Sequence, residues 1–110
     1  MSAYPIPITF TSLAANSQLT KPFPINGQIV GITSSFAGQT VNSDVQFNII
    51  LSTISITDGF LNASVFSNII VPVIVPDWNS ILPVSGSGTI IAQNSSSSTA
   101  YTFTIVLLVR

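Results

Sequence analysis

Apolar and polar residues alternate along much of this chain with a period of two, which is the spacing of a β-strand that buries one face. In the segment Val45–Leu51 every second residue, starting with Val45, is apolar, and Asp44, Gln46 and Asn48 lie on the opposite face. The segment Tyr101–Val109 repeats this alternation, but Val106 and Leu108 make its C-terminal half apolar on both faces. The pattern predicts a strand over each segment, the second one buried on both sides near its C-terminal end.

Shorter segments with the same alternation, or with many β-branched residues, predict six further strands. They cover residues 6–10, 29–36, 52–56, 61–66, 69–75 and 89–92. Helix signals are nearly missing, because the chain has no Glu and few Lys or Arg, while Ser, Thr, Asn, Ile and Val are abundant. The sequence therefore predicts an all-β protein.

Residues that favour turns separate these segments. The sharpest signal is the dipeptide of Asp58 and Gly59, which suits a tight hairpin. The other predicted turns or loops contain Pro22, Pro24, Asn26 with Gly27, Gly38, Pro76 with Asp77, and residues 86–88. The polar stretch 94–99 is predicted to form an exposed hairpin loop between two strands.

The fold class predicted from these elements is a single-domain antiparallel β-sandwich of about eight strands over residues 1–110, most simply a jelly roll. Another Greek-key sandwich is the main alternative, and the immunoglobulin type is less favoured because the chain lacks its cysteine pair. An open sandwich has edges that need protection. With so few charges, we expect subunit contacts to cover them. Residues 1–7, with Pro5 and Pro7, are a candidate for an extended arm that grips a neighbour.

Charge is scarce: among 110 residues there are two Lys or Arg, three Asp or Glu, and no His or Cys. Ordinary soluble domains are about one quarter charged, whereas this chain is 5% charged and 46% hydrophobic. Such a surface favours assembly with other protein. Two cationic side chains are too few to neutralise the phosphates of a nucleic acid. No apolar run approaches the roughly 20 residues that a membrane-spanning helix needs. Nucleic acid and membrane are therefore not predicted partners.

The residues that enzymes commonly use are largely missing. A Ser or Thr nucleophile needs a positioned base, and without His the remaining candidate is Lys21, in a predicted loop. The aspartates are Asp44, Asp58 and Asp77, and the last two stand in turn sequences, where Asp bonds to its local backbone. Zinc and transition-metal sites need His or Cys. We therefore predict no enzymatic activity, no metal and no cofactor.

Trp78, between Asp77 and Asn79, is the strongest single candidate for a ligand contact. A loop aromatic beside hydrogen-bonding side chains can stack on a sugar ring. A contact with another subunit or a host surface is the favoured interpretation, since Trp is enriched at protein interfaces.

Three segments together, residues 23–32, 45–51 and 100–107, resemble the layout of small jelly-roll decoration (cement) proteins on the capsids of tailed bacteriophages. The layout is also similar to that of trimeric tumour-necrosis-factor-like or C1q-like heads. The resemblance implies a homotrimer that sits where major capsid subunits meet. It also implies that the last strand lies near the threefold axis, with Ile105, Leu107 and Val109 at the subunit interface, and it carries over no catalytic residues.

The leading functional hypothesis is thus a non-enzymatic viral structural protein at the capsid surface of a virion, which binds itself and the major capsid protein. The alternative is a receptor- or carbohydrate-binding head on a phage fibre, or on a cell or spore surface, with Asp77, Trp78 and Asn79 as contacts. An enzyme is the least favoured class.

Overall fold

The computed structural model describes residues 4–36, 38, 43–51, 54–55, 57, 59–72 and 84–110. Six strands of seven to eleven residues make up most of this part of the chain. They are β1 (Tyr4–Leu13), β2 (Ser17–Gly27), β3 (Ile29–Ser35), β4 (Val45–Leu51), β8 (Val84–Asn94) and β9 (Tyr101–Val109). Three two-residue strands, β5 (Ile54–Ser55), β6 (Leu61–Asn62) and β7 (Val71–Pro72), and a 3-10 turn, Ala63–Phe66, join them.

The strands form two antiparallel sheets. The first has the order β1-β9-β3-β7, and the second has the order β2-β8-β4-β5, with β6 also paired to β4. Along the chain, β1 pairs with β9, β2 with β8, β3 with β7 and β4 with β5. This is one long antiparallel ribbon rolled into a sandwich, which is the jelly-roll arrangement. The predicted fold class, an all-β antiparallel sandwich, is confirmed.

The core lies between the two sheets and is filled by the inward residues of every long strand. In β4 and β9 buried and half-buried residues alternate without a break. The ring of Phe103 stacks with Phe10 at 5.1 Å and with Phe36 at 6.0 Å between centroids. Phe47 meets Phe66 edge-on at 5.2 Å. Both arrangements are favourable for aromatic rings. The stacked rings lie on the first sheet, and the edge-on pair connects the second sheet to the 3-10 turn.

A β-bulge in β3 explains why two isoleucines three residues apart both face the core. Ile29 pairs with Val109, whereas Gly31 already pairs with Leu108, so one extra residue is accommodated between them. The bulge shifts the alternation by one position, and Ile32 is therefore buried like Ile29.

Strand β1 is one edge of the first sheet, and its free side is protected by proline. The Nζ of Lys21 donates to the carbonyl oxygen of Thr9 at 2.5 Å, so the backbone of Thr9 faces this free side. Backbone groups alternate in direction along a strand, and Pro5 and Pro7 share the direction of Thr9. The two prolines therefore remove N–H groups that would otherwise be open to another strand.

Strand β2, the adjacent edge of the second sheet, has the same protection. The hydroxyl of Tyr4 donates to the carbonyl oxygen of Asn26 at 3.0 Å, which places the free side of β2 next to β1. Pro22 and Pro24 share the direction of Asn26 and remove two N–H groups from that side. Lys21 also points inward from this edge, with its Nζ 5.3 Å from the centroid of the Phe10 ring. At β1 and β2, proline and one inward charge thus protect the edges that we expected subunits to cover.

Several sequence predictions need correction. Residues 17–27, predicted to contain turns at Pro22 and Pro24, form the continuous strand β2, because proline is tolerated on an edge strand. Residues 86–88, also predicted as a loop, lie inside β8. Residues 61–66 are a two-residue strand followed by a 3-10 turn. Residues 4–7 are extended, as their prolines suggested, but they pair with β9 of the same chain.

The connection from β8 to β9 differs from the predicted hairpin, because these strands belong to different sheets. Asn94 anchors it from a buried position. Its Nδ2 donates to the carbonyl oxygens of Leu13 at 3.0 Å and Thr99 at 2.7 Å, and its Oδ1 accepts from the N–H of Ser96 at 2.9 Å. A buried amide with its hydrogen bonds satisfied holds the connection against the β1–β2 turn.

Gly88 is required by close packing. A Cβ at this position would lie 2.5 Å from Cζ of Phe23 and 2.7 Å from Cδ2 of Leu51.

We expect Gly88→Ala to lower the free energy of unfolding by about 1–3 kcal/mol through overpacking, measured by urea denaturation. Adding Phe23→Leu should recover part of the loss, and a fully additive double variant would contradict this explanation.

The edge protection of β2 is tested by Pro22→Val with Pro24→Val, which restores two N–H donors on the exposed side. We expect faster aggregation, followed by light scattering and thioflavin fluorescence at matched concentrations. Thr20→Val is the matched control, because it adds a similar side chain on the same strand without adding an N–H. Equal aggregation of the double variant and the control would show that the prolines do not protect this edge.

Candidate interaction surface

The residues predicted as contacts from sequence fall in two places. Residues 77–79, with Trp78 as the proposed ligand contact, lie outside the described residues. Ile105, Leu107 and Val109 are each 0% exposed, and they pack in the core between the sheets. Their predicted place at a subunit interface is therefore corrected: β9 turns these side chains toward its own sandwich, and its other face points outward.

The outer face of the first sheet carries an apolar surface near the C-terminal end of β9. Val106 and Leu108 are half-buried and point outward from β9. On β1 they are paired with exposed prolines, Pro7 opposite Val106 and Pro5 opposite Leu108. We call this surface, together with Gly31 of β3 and Ile70 before β7, the apolar face.

Gly31 allows the chain before β7 to lie close to the sheet. A Cβ at Gly31 would be 3.1 Å from Cγ2 of Ile70 and 3.3 Å from Cδ1 of Leu108. The missing side chain thus lets Ile70 and Leu108 approach one another over the middle of the sheet. Ile70 nevertheless remains 62% exposed, so the apolar face is open to solvent in the single chain.

Hydrogen bonds hold the segment that presents Ile69 and Ile70. The side chain of Asn62 caps the 3-10 turn by accepting from the N–H of Ser64 at 3.1 Å. Thr33 Oγ1 donates to the carbonyl oxygen of Phe66 at 3.2 Å. The N–H of Asn68 donates to the carbonyl oxygen of Ser34 at 3.0 Å. The exposed isoleucines are consequently presented by an anchored segment of the sandwich.

The charged residues in the described part of the chain avoid the middle of the apolar face. Lys21 is engaged at the β1–β2 edge. Asp44 precedes β4 in the second sheet, and its backbone carbonyl accepts from the N–H of Ser95 at 2.9 Å. Arg110 follows the end of β9, where its backbone pairs with that of Gln28. A partner of the apolar face would therefore be matched by apolar contact and shape, with little contribution from ion pairs.

The described residues offer little support for a metal site or a catalytic site. They contain no group of three or more His, Cys, Asp or Glu that could hold a metal ion. Of the aspartates, Asp58 and Asp77 lie outside the described residues, so a carboxylate pair is not defined by this structure. No helix within the described ranges is long and apolar enough to cross a membrane.

Comparison with known proteins gives no match: no family model, no curated protein and no solved structure is significantly similar to this chain.

Part of the apolar face is recognisable in the sequence. The double-sided apolar end of β9 was visible in Val106 and Leu108, and the exposed Ile70 fell in a predicted strand. Their convergence was not visible, because it depends on β1 and the segment before β7 flanking the same pair of strands, β9 and β3. Pairing of strands distant in sequence is not encoded in periodicity.

The two faces of β9 can be separated by stability measurements. Ile105→Ala should lower the free energy of unfolding by about 2–5 kcal/mol because it empties the core, whereas Val106→Ala should cost less than about 1 kcal/mol. Urea denaturation at the lowest workable protein concentration keeps association from contributing. Equal losses for the two variants would contradict the assignment of Val106 to the outer face.

Proposed function

We propose that this chain is a non-enzymatic structural protein that acts by surface contact, as a homotrimeric decoration (cement) protein bound between major capsid subunits on the surface of a virion. The observation that carries the proposal is the apolar face, an exposed sheet surface of proline, valine, leucine and isoleucine. An exposed apolar surface of this kind on a folded domain marks an interaction site.

The occupant that we propose for the apolar face is a second copy of this chain. A copy has an equally uncharged surface, since the whole sequence has a formal net charge of −1 and is 5% charged. Closed symmetric association would bury the β9 outer face, Val106 and Leu108, near the symmetry axis. This retains the expected role of β9 at the subunit interface but transfers it to the opposite set of side chains.

Binding of the trimer to the capsid depends on multivalency. Several copies held together bind several shell subunits at once, and each contact can then be weak. Because salt does not screen apolar contacts, we expect the complex of trimer and shell to persist across a wide range of ionic strength. A jelly roll alone does not determine a function, and the proposal therefore depends on the exposed face and not on the fold class.

Leu108→Arg tests self-association through the apolar face. The wild-type chain should have three times the 11.6 kDa mass of a single chain in light scattering, also in 1 M NaCl, while Leu108→Arg should be a folded monomer. The matched control is Ile91→Arg, which places the same charge on the half-buried outer face of β8 in the second sheet and should leave the trimer intact.

A wild-type monomer at tens of micromolar, or dissociation by salt, would overturn the trimer. Docking is tested separately, by sedimentation of the protein with shells of the particle that carries it. Wild type and Ile91→Arg should sediment with the shells, and Leu108→Arg should remain in the supernatant. A stable trimer that never sediments with shells would keep the self-association and overturn the decoration role.

A further inference from the structure

The outer face of the second sheet has a different chemistry from the apolar face, because four side-chain amides lie in one row across it. Gln18 of β2 pairs with Gln93 of β8, Gln93 pairs with Gln46 of β4, and Gln46 pairs with Asn62 of β6. Neighbouring strands are about 4.8 Å apart, so the amide row spans roughly 14 Å across the strands. We infer that the amide row is a binding site for a neutral carbohydrate chain.

Hydrogen-bonding capacity remains unused along the amide row. Gln93 Nε2 donates to Gln46 Oε1 at 2.5 Å, which fixes these two side chains against each other. An amide has two N–H donors and an oxygen that accepts twice, so this single bond leaves donors and acceptors on both residues. Gln18 is exposed, and its side chain makes no hydrogen bond to any other described residue. Asn62 accepts from Ser64 through its oxygen, which leaves its NH₂ group to donate.

A depression lies at the Gln18 end of the amide row. It has a volume of about 260 Å³ and is lined by Asn16, Ser17, Gln18, Gln93, Asn94 and Ser95. The backbone around it is held by the buried Asn94 and by the N–H of Asn16, which donates to the carbonyl oxygen of Ser96 at 3.0 Å. The depression and the row together form a polar surface on rigid strands, which suits a ligand longer than one sugar ring.

The charges favour a neutral ligand. No residue of the amide row or of the depression is charged, and the described charged residue closest to them in register is Asp44, whose carbonyl accepts from Ser95. An acidic residue beside the depression disfavours anionic chains, and a cationic ligand would find no opposite charge in the row itself. Hydroxyl groups, which both donate and accept, match amides in either orientation.

The strand edges argue against an extended peptide as the ligand. A peptide that adds to a sheet uses the free N–H and C=O groups of an edge strand. In β2 this edge is interrupted by Pro22 and Pro24, whereas the amide row crosses the face of the sheet. Next to the row, Ile91 of β8 is half-buried on the same face and offers apolar contact to the C–H surface of a sugar ring.

The test is a titration of the full chain with four neutral polysaccharides, dextran, amylose, galactomannan and hydroxyethyl cellulose, and with anionic alginate for comparison. Side-chain NH₂ signals in NMR spectra report on the amide row directly. We expect at least one neutral polysaccharide to shift the signals of Gln18, Gln93 and Gln46. The double variant Gln18→Thr with Gln93→Thr should weaken binding about tenfold or more, because it removes hydrogen bonds that the site provides.

Asn26→Thr is the matched control, because it makes an equivalent amide replacement on the same strand, β2, at its opposite end. It should bind like wild type, and thermal denaturation should show that both variants remain folded. Binding to none of the neutral polysaccharides, binding to alginate alone, or equal binding by the double variant and the control would each overturn the inference. None of these outcomes bears on self-association through the apolar face, which lies on the other sheet.

Discussion

Burial of the inward face of β9 is the constraint on which the rest of the structure depends. Phe103, Ile105, Leu107 and Val109 have no exposed surface, and β9 is hydrogen-bonded on one side to β1 and on the other to β3. The strand that ends the chain therefore fixes the first sheet and supplies a large part of the core. Each long inward side chain that is removed from water contributes about 1.5–3 kcal/mol, so this row makes a large contribution to the stability of the sandwich.

The scarcity of charge then decides how the sandwich remains a defined unit. Many proteins protect sheet edges with lysine and keep their surfaces soluble with mixed charges. Here Pro5, Pro7, Pro22 and Pro24 protect adjacent edges of the two sheets, and Lys21 is used at the same place. The outer face of the second sheet carries amides and hydroxyls in place of charges. The two outer faces thus diverge, one apolar and one rich in neutral hydrogen-bonding groups.

The fold class was accessible from the sequence, because period-two alternation in β4 and β9 reports directly on which side chains face the core. Strand β2 was missed because its prolines are typical of turns. They are compatible with a strand only at the edge of a sheet, and the sequence does not show which strand is an edge. The direction of Ile105 was also misassigned. An apolar run that occupies both faces of a strand does not reveal which set is inside, and the resemblance placed the inner set at an interface. The amide row was invisible for a further reason: Gln18 and Gln93 are far apart in sequence, and only the pairing of β2 with β8 brings them together.

A slip of one residue in the pairing of a strand exchanges its two faces. In the C-terminal half of β9 such a slip would exchange Ile105 and Leu107 for Val106 and Leu108, at little hydrophobic cost. The N-terminal half opposes it, since Thr102 and Thr104 would then enter the core in place of Tyr101 and Phe103. The hydroxyl of Thr104 also lies 2.9 Å from that of Thr9 on β1, and Arg110 pairs through its backbone with Gln28 at the other end. Polar residues at one end of β9 and backbone pairing at the other therefore specify the register. This leaves Val106 and Leu108 available for an outward contact, which a strictly alternating strand could not provide.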